Sequence, residues 1–186
     1  RQEVKELLVE NGEICGIRLS DGQKVNADAV IIATGGMSYP STGSTGDGYR
    51  MAEAAGHHVT KRVPSLVPMT VADEWCPELQ GLSLKNITFT MKCGKKNFYQ
   101  EFGEMMFTHF GITGPVVLSG STHLAPYLKK GTVTAEIDLK PSLTDEQLDA
   151  RLLRDFEKNI NKQIRNSLSE LLPASMIPII IRLSGI

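Results

Sequence analysis

Apolar and polar positions along the chain fall into three successive textures. From Val4 to Val25 they alternate, in runs Val4–Val9, Ile14–Leu19 and Lys24–Val25, broken by Asn11-Gly12 and Asp21-Gly22. Both dipeptides suit positive φ at the two central positions of a type I′ turn, so the spacing predicts a three-stranded antiparallel meander. Ile17 and Leu19 alternate with polar neighbours, which leaves the meander one wet face and predicts that it packs on a sheet rather than extending it. Ala29, Val30, Ile31, Ile32 and Ala33 show no alternation. They predict a short strand covered on both faces, as in the parallel sheet of an α/β domain. Thr34, Gly35 and Gly36 then end the run in small residues, which let another backbone or a ligand approach the carboxyl end of a sheet. A loop with Pro40 follows, then a helix starting at Thr45 or Asp47 whose packing side is Met51, Ala52, Ala54 and Ala55. Gly56 suits the left-handed position past its end.

Between His57 and Asp73 the pattern shortens and is cut by Pro64 and Pro68, so a domain boundary is expected near Pro68. Beyond it Met69–Val71, Leu84–Lys92, Lys96–Phe102, Met105–Thr108 and Thr132–Leu139 read as strands, and five strands with turn glycines predict a small barrel or closed sheet. Gly114–Lys130 opens on Pro115 and spaces its apolar residues as a helix does. Thr144 with Gln147 forms a capping box, followed by Leu148, Leu152, Phe156 and Ile160 on one face, with Arg151, Arg154 and Lys158 on the wet face. A second box, Ser167 with Glu170, predicts a helix that Pro173 ends, and the apolar segment Ser175–Leu183 is expected to be buried. The fold class is therefore α/β over residues 1–67 and α+β over 68–186, with the barrel over 68–140 and a helical portion over 141–186.

With 186 residues, 41% of them hydrophobic, each part has enough apolar side chains for a core. The net charge of −1, with both signs interspersed, offers no broad basic field, so no nucleic-acid partner is expected. Lys92, Lys95 and Lys96 beside Phe98 and Tyr99 are read as a solvated hairpin tip around Gly94. No apolar run approaches the roughly 20 residues that span a bilayer, so no membrane partner is expected. Cys15, Cys76 and Cys93 are odd in number and form no C-x-x-C, which fits buried thiols and a cytoplasmic location. His57, His58 and His123 lack partners at ligand spacing, so no metal site is expected. Arg1 is not a start methionine and Ile186 follows directly on Ser184-Gly185, from which an internal fragment of a longer protein is expected.

Two motifs add chemistry to this outline. Ala33-Thr34-Gly35-Gly36 is followed by Ser44-Thr45-Gly46-Asp47-Gly48-Tyr49 and by Met51-Ala52-Glu53-Ala54-Ala55-Gly56, and Gly103–Pro115 reads G-E-M-M-F-T-H-F-G-I-T-G-P. The first set resembles flavoproteins with two dinucleotide-binding domains, including the fumarate reductase and succinate dehydrogenase group. With the second, nearly the whole chain resembles the YhiN-type (BaiN-like) family of bacterial FAD-dependent oxidoreductases. The resemblance implies part of a Rossmann-like FAD-binding domain, built of meander, strand and helix, plus an inserted β-barrel-like cap with a helical portion. It implies that Ala33, Thr34, Gly35 and Gly36 approach FAD and that Asp47 lies near its ribityl or flavin end. It further implies NADH or NADPH as reductant, a small-molecule substrate, and, by analogy with the fumarate reductase group, an activated C=C bond as acceptor.

The sequence departs from the family in lacking a G-x-G-x-x-G after an early strand and the closing glycine-rich flavin segment. The fragment alone is therefore expected to bind FAD weakly or not at all, its partners being the missing N- and C-terminal parts of the same protein. Each candidate has a plainer reading. Thr34–Gly36 also fits an ordinary tight loop, and Asp47 also fits a helix-capping carboxylate. Ser44-Thr45-Gly46 is not followed by the Gly-Lys-Ser or Gly-Lys-Thr of a phosphate loop. His109, between Thr108 and Phe110, is the candidate proton donor, and its apolar neighbours equally suit a hydrogen-bonded core histidine. The alternative to redox turnover is a flavin-containing binding or RNA-associated protein.

Overall fold

The computed structural model describes residues 2–185 and divides into two compact units, one up to Arg62 and one from Val63. The junction expected at Pro68 falls just inside the second unit. In the first, β1 (Val4–Glu10), β2 (Glu13–Leu19) and β3 (Lys24–Asn26) form the antiparallel meander in the order β1-β2-β3. Asn11 and Gly12 take φ of 52° and 82°, the type I′ geometry that their identities predict. The second turn is different: only Gly22 (φ 88°) is left-handed there. Gly22 N–H donates to Leu19 O at 3.0 Å and Leu19 N–H to Gln23 O at 2.9 Å. That is a type I turn closed by a glycine bulge, because the loop holds three residues rather than two. Asp21 Oδ1 fixes it by accepting from Gln23 N–H at 2.9 Å.

The strand expected over Val30–Ala33 does not form. A strand is defined by its ladder, and among the described residues this run has none to pair with. Ile31 is consequently 92% exposed rather than sandwiched. The helix does form, as α1 (Asp47–Ala54). Its exit has the two reverse bonds of a Schellman motif, Gly56 N–H to Glu53 O and His57 N–H to Ala52 O, both 3.0 Å, with Gly56 at φ 91°.

The second unit holds β4 (Met69–Thr70), β5 (Ser83–Cys93), β6 (Lys96–Thr108), β7 (Gly111–Thr113) and β8 (Val133–Asp138). They pair antiparallel in the order β4-β7-β6-β5-β8 and curl into a half-barrel. Two predicted strands fuse into one, β6, which runs through Gly103 where a break was expected. Gly103 is there to admit the helix α2 (Pro115–Leu128), since a Cβ would stand 2.6 Å from Val116 Cγ1. Gly120 makes a second close approach, against Tyr99 and Met91. Phe89, Phe107, Ile87, Met91, Met105, Val116 and Val117 are all buried where sheet and helix meet. Each such side chain contributes about 1.5–3 kcal/mol relative to leaving it in water. The short β7 went unpredicted, since three residues carry too little pattern to register.

The helical portion follows its sequence only in part. In α3 (Asp145–Lys158) the capping box is present, with Gln147 N–H donating to Thr144 Oγ1 (3.3 Å) and Thr144 N–H to Gln147 Oε1 (3.0 Å). The apolar face expected to continue to Ile160 stops short: the helix ends at Lys158 and Ile160 is 80% exposed. The buried position is instead Asp155, 6% exposed, which accepts from Arg151 Nε at 2.7 Å. The second box does not cap a helix. The short α4 (Ile164–Ser167) ends where that helix should start, and Glu170 is drawn to Lys158 (2.9 Å) and Arg151 (3.8 Å). Finally α5 (Ile177–Ser184) buries Ile177 and Ile179 but leaves Leu183 in solvent, so its burial is one-sided.

Candidate flavin-facing wall in the first unit

The predicted site residues Ala33, Thr34, Gly35 and Gly36 lie on the extended segment that faces the start of α1, and Asp47 is the first residue of that helix. What joins them is Gly48. It is buried, and a Cβ there would stand 2.7 Å from Ile32 Cγ2 and nearer still to Thr34 Oγ1. The side chains of Ile32 and Thr34 thus rest directly on the helix backbone at Gly48, with no helix side chain between them. Gly35, at φ 72°, makes the next approach, its missing Cβ 3.0 Å from Ser44 Oγ. The result is a cleft of about 260 Å³ lined by Ile32, Ala33, Thr34, Gly35, Gly48, Tyr49 and Ala52. Thr34 and Gly35 are exposed on it.

The helix start is chemically open. Gly46, at φ 84°, caps it without a side-chain hydrogen bond, and its carbonyl accepts from Tyr49 N–H (3.2 Å) and Arg50 N–H (3.4 Å). The N–H groups of Asp47 and Gly48 precede the first intrahelical donors, so the positive end of the helix dipole is available to a ligand acceptor. Asp47 does not close that end. Its carboxylate turns to Thr45 Oγ1, which donates to Oδ2 at 2.6 Å, and to the Arg50 guanidinium through Oδ1. Arg50 also donates to Thr45 O at 3.3 Å, so Asp47 is held from two sides while remaining partly exposed. A carboxylate fixed in this way accepts hydroxyl hydrogen bonds and repels phosphate.

Residues present therefore suit one side of a dinucleotide: a glycine-rich approach, free N–H groups, and an acceptor for a polyol. The cleft is smaller than the ~300–1,000 Å³ typical of complete small-molecule pockets, so it is a wall rather than a closed site. A second, apolar groove of about 370 Å³ runs beside it, lined by Val4, Leu7, Ile17, Val30, Ile31 and Met51 among others.

His109 is in the second unit, on the two-residue turn between β6 and β7. It is exposed, with its ring edge-on to Phe110 at 4.8 Å, so the reading as a core histidine is corrected. Phe110 does not enclose it, because a hairpin tip lifts both turn residues off the sheet and leaves Phe110 itself 38% exposed. Gly48, Thr45 and Arg50 were missed as site residues. A glycine inside an otherwise good helix start is the signal that marks Gly48, since it weakens the helix unless a neighbour needs the space. Among the described residues no helix is long and apolar enough to cross a membrane, and no three His, Cys, Asp or Glu side chains are grouped to hold a metal.

A meander-and-helix unit with a glycine-lined cleft is thus followed along the chain by a half-barrel with appended helices. The chain belongs to the HI0933-like family, whose profile, described as the HI0933-like protein barrel and H2TH domain, matches residues 63–186. A second profile, described as glucose inhibited division protein A, matches residues 1–66. The chain is 38% identical over 150 residues to a ribosomal RNA dihydrouridine synthase of Haemophilus influenzae, covering 80% of this chain and 34% of that protein. It is 30% identical over 168 residues to a 3-dehydro-bile acid delta(4,6)-reductase of Clostridium scindens, covering 90% and 41%. A ribosomal RNA dihydrouridine synthase of Escherichia coli is 30% identical over 157 residues, covering 84% and 37%. The chain thus spans 34% to 41% of the length of these relatives.

Proposed function

We propose that the whole protein is an FAD-dependent reductase of activated C=C bonds, and that residues 32–36 with the first turn of α1 form one wall of its FAD site. The observation that carries this is the contact at Gly48, which sets a glycine turn beside unused helix N–H groups and a held carboxylate. Bound FAD would supply the hydride chemistry, with NADH or NADPH as its source. The chain's own residues bind and orient. Thr34 and the backbone at Gly35 and Gly36 are open to hydrogen bonding, and Asp47 accepts from a hydroxyl while Thr45 and Arg50 keep it aimed. His109 is the proposed proton donor, because it is solvent-accessible and no side-chain hydrogen bond occupies its ring among the described residues.

The relatives narrow the acceptor. Dihydrouridine is uridine with its ring double bond saturated, and a delta(4,6)-reductase removes a conjugated double bond, so one chemistry underlies both names. Uridine in ribosomal RNA is the acceptor we propose, since the relative at 38% identity carries that name. This reading sets aside the absence of a nucleic-acid partner expected from net charge. A conjugated ketone is the second reading, favoured by the bile acid reductase, which matches the larger share of the chain. The test is turnover by the whole protein with NADH or NADPH and either unmodified ribosomal RNA or a conjugated ketone. Gain of two hydrogens on uridine supports the first reading; turnover of the ketone alone overturns it. Bound flavin that no nicotinamide reduces would favour a binding protein without redox turnover. His109→Asn should lower kcat at least 100-fold, within the range of general acid–base contributions, and leave the flavin spectrum unchanged. Unchanged kcat removes His109 from the mechanism.

A further inference from the structure

The second unit carries a cluster of cations that the proposed chemistry has not used. The β5–β6 hairpin turns at Gly94, φ 57°, and presents Lys95 and Lys96, while the end of α2 presents Lys129 and Lys130. These two pieces are distant in sequence and are pinned together by their aromatic rings. Phe98 stacks on Tyr127 with centroids 3.8 Å apart and planes within 10°. Lys96 Nζ lies 5.7 Å, and Lys130 Nζ 4.9 Å, from the Tyr127 ring centre. All four lysines are exposed, and none has an ion-pair partner among the described residues. Lys92, next along the hairpin, is already paired with Glu136. No Asp or Glu occurs within 92–98 or 122–135. The chain as a whole is at −1, and it is the contact of Phe98 with Tyr127 that brings these charges together.

Unpaired ammonium groups held close together repel one another, and a polyanion relieves that repulsion while releasing its own condensed counterions. Because the Tyr127 ring already carries Phe98 and the two lysines, the patch is built to hold phosphates rather than to stack bases. We infer that Lys95, Lys96, Lys129 and Lys130 form a contact surface for the RNA phosphodiester backbone. It would hold the substrate strand by its backbone, independently of sequence. This inference rests on the reading of RNA as substrate, and the two are separable by experiment.

The measurement is the salt dependence of binding of the whole protein to a uridine-rich single-stranded RNA, by fluorescence anisotropy. Wild type is compared with Lys95→Gln/Lys96→Gln, with Lys129→Gln/Lys130→Gln, and with the exposed control pair Lys24→Gln/Lys61→Gln of the first unit. At roughly 0.7 of log–log slope per phosphate contact, each patch pair should lower the slope by about 1.4 and the control pair by none. Each patch pair should also raise KM for RNA with little change in kcat, and leave the unfolding midpoint in place. Equal slopes for wild type and both patch pairs overturn the inference, as does failure of wild type to bind RNA. Uridine reduction, measured separately, judges the substrate: a lowered slope without uridine reduction keeps the surface and removes that substrate reading. Uridine reduction with unchanged slopes does the reverse.

Discussion

Gly48→Ala is the most informative single substitution in the first unit. The new methyl would lie 2.7 Å from Ile32 Cγ2, where carbon atoms normally sit about 3.5–4.0 Å apart. Thr34 Oγ1, which is nearer, and the Ile32 methyl both sit on branched Cβ atoms, so each gives way only by leaving its preferred χ1 rotamer or by a shift of its backbone. Overpacking of this kind costs about 1–3 kcal/mol, and alanine returns about 0.5–1 kcal/mol of helix propensity. Net loss of about 1–2 kcal/mol falls on the docking of α1 against residues 32–34, and it weakens FAD by roughly 5–30-fold if that docking forms the wall. Ile32→Ala removes the obstructing methyl from a half-exposed side chain, so the double variant should recover most of the affinity. The assay is the FAD dissociation constant of the whole protein, by flavin fluorescence, for wild type, both single variants and the double variant. Unchanged affinity in Gly48→Ala, or additive losses in the double variant, would refute the reasoning.

Three further outcomes are expected. Asp47→Asn should cost only about 0.3–1 kcal/mol of stability through the helix dipole but weaken FAD at least about tenfold, the scale of a charge-assisted hydrogen bond; parallel titrations of unfolding and FAD binding check this. Burial, helped by Asp73, raises the Cys76 thiol from 9.0 to about 11, and the side chain is 3% exposed. Its folded pKa is above the unfolded one, so its contribution to stability is complete below pH 9.0 and is lost as pH rises toward about 11. Urea midpoints should fall across that window in wild type and stay flatter in Cys76→Ala; identical pH profiles would contradict it. Thr144→Ala should lower stability by about 0.5–2 kcal/mol by opening the capping box, and Thr144→Ser should restore most of it in the same denaturation assay.

The parts of the fold legible in the sequence were those written in local chemistry. Asn11-Gly12, Pro115 at the head of α2, Thr144 with Gln147, and Gly56 each fix a turn or helix end from their own dihedral or hydrogen-bonding preferences. Misreadings arose where a distant partner decides. Val30–Ala33 has the composition of a buried strand but no ladder to join among the described residues. Glu170 has the spacing of a capping residue but finds Lys158 and Arg151. Gly103 looks like a strand break and is a berth for Val116. The candidate site was half legible in the same sense: Thr34, Gly35 and Asp47 carry a recognisable motif, whereas Gly48 acquires its role only from Ile32 and Thr34 across the fold.

The central claim is that this wall belongs to a working flavin site. It is tested most directly by the absorption spectrum of the purified whole protein under anaerobic titration with NADH and NADPH. The account predicts stoichiometric flavin absorbance in wild type, bleaching by a nicotinamide, and recovery on adding an activated C=C acceptor. It predicts an FAD dissociation constant roughly 5–30-fold higher in Gly48→Ala. A colourless protein that takes up no added FAD, or an FAD affinity indifferent to Gly48→Ala, would contradict it.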